Sequence, residues 1–314
     1  MTTGVTYGWL HSGFRITGGG TKGTFNDDLV AGNGKTTLFV TVQQSGVQGG
    51  NGCAFVYQSA SHGATPFYSC TASAPESGLK DLRWDAAPGS SQVIAQHYAQ
   101  LEWQTADDRQ ATLFANPGDE TADQLTAIML RVAQNVRLGG HRALPMPFHL
   151  AKPSANLPLA YGYTSQGADG TPPGEAANGD PLGSGPAPGV AAGLEYGGID
   201  ATMVDSPGLE LAVQKADSDA AFPDEHEIQI DGGPPAAADI QSTTVDGHPA
   251  RIATKGGFQV LVVHDVNGFH VRLAVGGAEA QAVVDAAGGI VGYFHTITFY
   301  GTGPATWTVD VLGG

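Results

Sequence analysis

The stretch VLVVHDVNGFHVRL, Val260 to Leu273, sets two histidines six residues apart around an Asn-Gly pair. Imidazoles bind transition metals and exchange protons near neutral pH, so their placement decides whether this is a site. Asn267-Gly268 is a strong signal for a two-residue hairpin turn. Taken as the turn, it pairs Val266 with Phe269, Asp265 with His270, and His264 with Val271. One face then carries Val262, His264, Val266, Phe269, Val271 and Leu273, and the other Val263, Asp265, His270 and Arg272. In that register the imidazoles point to opposite faces and share no metal. His264, on the apolar face, reads as a core or boundary histidine, with a pH-sensing or ligand-orienting role as the alternative.

Other stretches hold reactive side chains without the spacing that chemistry requires. PDEHEIQI gathers Asp224, Glu225, His226 and Glu227, but strand alternation turns His226 away from the two glutamates, and no H-x-x-x-H pair occurs in the chain. The acidic loops FNDDLVAGNG and NPGDETAD do not match an EF-hand. Gly34-Lys35-Thr36 resembles the tail of a phosphate-binding loop, yet Leu29 stands where that loop needs glycine, and the strand-like TTLFVTV follows where it needs a helix. RITGGGTKG contains no G-x-G-x-x-G and reads as a hairpin tip. GDPLGSGPAPG lacks the G-x-S-x-G elbow. No catalytic, cofactor-binding or metal-ligating residue is therefore expected, and the chain does not read as an enzyme.

Cys53 and Cys70 are the chain's two cysteines, each among strand-like aromatic residues with turn residues between them. That layout suits a disulfide closing one hairpin or loop, a constraint of about 3 kcal/mol in the chain-entropy account; two free thiols are the alternative. A disulfide implies an oxidising compartment. The opening MTTGVTYGWL has neither basic start nor apolar stretch, which leaves a cytoplasmic protein or a segment of a longer exported chain; the disulfide favours an extracytoplasmic or secreted segment lacking its signal peptide. A net charge of −16 repels nucleic acid and anionic lipid. No apolar run reaches 18 residues, so no membrane span is expected.

The elements that must position these residues are mostly strands. Only 14% of the residues are charged and 46 are glycine, which favours turn-rich β structure. A length of 314 residues suggests two domains. After the hairpin, Ala280, Val283, Val284, Ala287, Ile290, Val291 and Phe294 recur at helical spacing. The same order of strand, turn, strand and helix occurs about 155 residues earlier. There the turn is Asp107-Asp108, Thr121 and Gln124 make a capping-box pattern, and the helical stripe is Leu125, Ile128, Met129, Val132 and Val136. This predicts an internal duplication: an α+β chain of two similar units, each a curved antiparallel sheet with one late amphipathic helix. The units are residues 1–162 and 194–314, with a Gly/Pro-rich linker or long loop at 163–193.

The helices TADQLTAIMLRVAQNV and AEAQAVVDAAGGIV, with VDGHPARI and PMPFHLAKPSANLPLAYGY, resemble the tandem extracytoplasmic domains of membrane-anchored regulatory proteins in high-GC Gram-positive bacteria, actinobacteria among them. Those domains are similar to the LolA/RseB group, in which a curved antiparallel sheet wraps around helices. The resemblance implies a non-enzymatic binding or sensing module, without cofactor, whose apolar groove takes a lipid, a cell-wall fragment or a protein partner. Trp103, His264 and Phe269 are the candidate groove residues. A secreted structural protein that self-associates through strand edges is the competing reading. A hydrolase with scattered residues is a third.

Overall fold

The structure is a computed structural model that describes residues 2–22, 26–43, 71–72, 79–85, 99–105, 107, 109–150, 157–166, 190–197, 208–216, 236 and 239–309. Cys53, Cys70 and the Asp224–Glu227 cluster lie outside these residues. The chain forms two compact units, one built from residues 2–142 and the other from 143–166 together with the residues from 189 onward.

In the N-terminal unit the elements are β1 (Thr2–Tyr7), β2 (Arg15–Lys22), β3 (Asn26–Gly32), β4 (Thr37–Gln43), β5 (Thr71–Ala72), β6 (Lys80–Asp85), β7 (Ala99–Gln104), β8 (Gln110–Asn116), α1 (Ala122–Ala133) and β9 (Val136–Ala143). Among the described residues, seven strands form an antiparallel sheet in the order β2-β3-β4-β8-β7-β6-β5. Alternation sends Leu29, Leu38, Val40, Val42, Leu101, Trp103 and Leu113 to one face. Leu125, Ile128, Met129 and Val132 of α1 pack there. The helix begins where the sequence places it. The Thr121 hydroxyl accepts from the Gln124 amide at 3.3 Å, and the Gln124 side chain accepts from the Thr121 amide at 2.9 Å. After α1, β9 returns to pair with β1.

The C-terminal unit contains β10 (Phe148–His149), β11 (Leu159–Gln166), β12 (Val190–Gly197), β13 (Gly208–Lys215), β14 (Ile240–Val245), β15 (His248–Lys255), β16 (Phe258–Val266), β17 (Phe269–Gly276), α2 (Gly277–Ala286), α3 (Ile290–Phe294) and β18 (Thr298–Phe299). Its antiparallel sheet has seven strands among the described residues, in the order β11-β12-β13-β17-β16-β15-β14. This is the strand order of the N-terminal sheet, first-second-third-seventh-sixth-fifth-fourth, and a helix again follows the seventh strand. Here too a leading strand, β10, pairs with one after the helices, β18. Leu194, Leu211, Leu261, Val263, Phe269, Val271 and Leu273 face Val284, Ile290 and Phe294 in the core.

Several expectations require correction. The chain is nearly all β, not α+β: among the described residues strands exceed helices several-fold, and the late helices only cover one sheet face. The stripe from Ala280 to Phe294 is two helices, because Gly288 and Gly289 take φ of 92° and 93°, outside the helical region. Val136 starts β9 instead of extending α1. RITGGGTK is a whole strand, with Gly18, Gly19 and Gly20 paired to Val30, Leu29 and Asp28. The expected linker starts and ends in strands, since Tyr163 to Gln166 pair with Gly193 to Val190, and residues 143–162 group with the C-terminal unit. The signals there were small residues, which fit a strand when a large neighbour lies across them. Among the described residues no helix is long and apolar enough to cross a membrane.

Candidate functional site

The C-terminal sheet has two unlike faces. Opposite the core, its middle strands present Tyr161, Tyr163 and Ser165 from β11, Glu195 from β12, Glu210 and Gln214 from β13, and His270 and Arg272 from β17. An antiparallel sheet commonly packs one face on its core and leaves the other, polar face to water. Here Glu210 and Gln214 are buried. Toward β14 the same face turns apolar, with Ala253, Val260 and Val262 packed beside Ile240, Phe258 and Ala274.

Arg272 donates to Glu210 at 2.5 Å, an ion pair largely removed from solvent on both sides. Arg272 Nε and Glu210 Oε2 are buried with no hydrogen-bond partner among the described residues. Burial, followed by the charges of Glu210 and Glu195, pushes the Tyr163 phenol well above its usual value, with Arg272 acting against them. Tyr163 stacks on Tyr161 with ring centroids 5.6 Å apart, and it covers Gly193 of the adjacent strand.

The β16–β17 hairpin ends this face. Its turn is the expected one, with Asn267 at φ 52°, Gly268 at φ 86°, and Val266 opposite Phe269. Beyond the turn the expected register fails. Val263 pairs with Val271, so His264 and Asp265 together stand opposite His270. This is a β-bulge, with Asp265 in the left-handed region at φ 59°. The extra residue lets both Val263 and Val266 enter the core and sends His264 to the face of His270. Their Nδ1 atoms lie 3.2 Å apart, and the rings meet edge to face with centroids 4.9 Å apart. The expectation that these histidines point apart is therefore overturned.

Both histidines are half-buried and Asp265 is exposed. Burial, and next the neighbouring His264, pulls His270 below the usual histidine value, while a hydrogen bond to the Ala216 backbone and the charge of Asp265 oppose this. Two adjacent imidazoles can share a proton, hold a metal ion, or bind an anion when protonated.

Of the three candidate groove residues, Trp103 and Phe269 are core side chains of their own units. Trp103 is buried in the N-terminal core beside α1. Phe269 is fully buried in the C-terminal core, and His264 belongs to the opposite face of that sheet. In each unit, described side chains of the sheet and of the helices that follow it pack into one buried cluster. The signal for the histidine pair was the apolar step from Val263 to Val266, three residues where a regular strand has two. Among the described residues, no group of three or more His, Cys, Asp or Glu is arranged to hold a metal ion. In comparisons with known proteins, the chain matches no family model, no curated protein and no solved structure.

Proposed function

We propose that the chain is a non-enzymatic extracytoplasmic binding or sensing module whose recognition site is the histidine end of the C-terminal sheet's polar face. The observation that carries this reading is the bulged hairpin, which brings two half-buried imidazoles to 3.2 Å beside a buried Glu210–Arg272 pair. A left-handed Asp265 and buried polar groups both cost stability, and proteins keep such costs chiefly at functional sites. The candidate site is lined by histidine, arginine and glutamate side chains, which favours a polar cell-wall fragment or protein segment over a lipid. Native mass spectrometry of the isolated full chain, set against its denatured mass, tests the reading. Added mass of a few hundred daltons, lost in a His264→Gln/His270→Gln variant, supports it. Added mass that persists in the variant removes this site.

A self-associating surface protein is the second reading, favoured by β14. Among the described residues this strand ends its sheet, and IQSTTV contains no proline or charge to discourage pairing with another chain. A multimer series without added mass supports this alternative.

A further inference from the structure

We propose that His264 and His270 form a two-imidazole site for a divalent transition-metal ion of the copper and zinc class, which binds both Nδ1 atoms and presents its remaining positions to water or a ligand. This deepens the binding reading above and rests on the same site. Two nitrogens bound to one ion at roughly 2.0–2.1 Å lie about 3.3 Å apart at a tetrahedral angle and about 2.9 Å apart at a right angle. The observed 3.2 Å lies between these. The same ring atom faces inward from both residues, so a single ion meets equivalent donors.

The scaffold is suited to hold them. The histidines belong to neighbouring strands joined by a two-residue turn and locked by the pairs Val263–Val271 and Val266–Phe269 on either side. Those four valine and phenylalanine side chains are buried, so the backbone beneath the imidazoles is anchored. The bulge that aligns the rings also places the Asp265 carboxylate one residue away, where its charge acts on His270. Imidazole donors suit copper, zinc and nickel, and affinity rises toward Cu²⁺ in the divalent series. Two protein donors leave several positions of the ion open, so the ion can bridge the sheet to a ligand carrying its own donor atoms.

Cu²⁺ titrated into the full chain, followed by calorimetry and electron paramagnetic resonance, tests this. The expected result is one tight equivalent with hyperfine structure from two nitrogens. His264→Gln and His270→Gln should each weaken it at least about 100-fold, since losing a mere supporting partner can already cost that much. His295→Gln, whose imidazole meets Asp246 at 3.1 Å, should leave it unchanged. Histidine ¹⁵N shifts in the wild type give a readout independent of variant folding: Zn²⁺ should move the Nδ1 resonances of both residues. Unmoved resonances, or copper binding that survives both substitutions, would overturn the proposal and leave a tautomer-locked N–H···N pair. Co-purified mass lost in the double variant but no metal response would sink the metal and keep the binding reading. Metal response with no co-purified mass keeps the metal site.

Discussion

At Gly193 a single methyl group decides a packing arrangement. A Cβ there would sit 2.5 Å from Cε1 of Tyr163, the residue directly across on β11. The ring cannot move aside freely, because Tyr161 stacks on it. Gly193→Ala should cost about 1–3 kcal/mol as an overpacked site. In a Tyr163→Ala background the same change should cost much less, as a double-mutant cycle by urea denaturation can measure. Equal costs in both backgrounds would mean that the ring does not press on the glycine. Glu120 illustrates a residue-scale electrostatic effect. Burial raises its pKa, but bonds from Thr36, from the Gly118 amide at 3.1 Å and from Asn33 at 3.3 Å outweigh burial and leave it lowered. A carboxylate with a lowered folded pKa contributes stability above its unfolded pKa of about 4.3, lost as pH falls through the folded value. Thr36→Val removes one of the bonds holding the pKa down. Its loss of stability between pH 5 and pH 3 should therefore be smaller than in the wild type, by under about 1 kcal/mol for so accessible a group. An unchanged acid limb would discount the Thr36–Glu120 bond.

At the scale of elements, some strands, turns and helix starts were legible in the sequence, while β3 lies where an acidic loop was expected. The capping box at Thr121, the stripe from Leu125 to Val132 and the Asn267-Gly268 turn lie where the residues place them. Two more hairpins follow the same chemistry: Asp246-Gly247 and Gly256-Gly257 join Val245 to His248 and Lys255 to Phe258, all four with positive φ. The His264–His270 site was not legible for a specific reason. Val260 to Val263 is uniformly apolar, so alternation does not say which valines face the core, and the register was counted back from the turn without a bulge. FRITGGG reads as a strand, but its glycines also signal a hairpin tip, and only the pairing with β3 shows that they lie within the strand. The bulge yields its own test. Asp265 is exposed and left-handed, so Asp265→Gly should retain or slightly raise stability, while Asp265→Val should lose about 1–2 kcal/mol from backbone strain. Thermal melting distinguishes them. Equal melting temperatures would mean that the turn relaxes and the bulge is not fixed.

At the scale of the molecule, the dominant feature is one strand order used twice among the described residues. In each unit three early strands and four late ones join where the third strand pairs with the seventh. In the C-terminal unit the late four are consecutive hairpins, whereas the junction pairs Leu211 with Leu273 and Val213 with Val271 across a long intervening chain. Local hairpins close at lower entropic cost than such distant pairs. In pulse-labelled hydrogen exchange during refolding, amides shared by β15, β16 and β17 should become protected before those shared by β13 and β17. Simultaneous protection would place the junction in the folding nucleus. The same junction matters during synthesis. A nascent N-terminal unit completes β4, with Leu38, Val40 and Val42 all destined for burial, long before the ribosome reaches its partner β8. At ordinary elongation rates that interval is roughly 4–15 s. Throughout it, a strand that will lie inside the sheet waits for β8 to pair with it, so a chaperone has the most to protect before Asn116 is made.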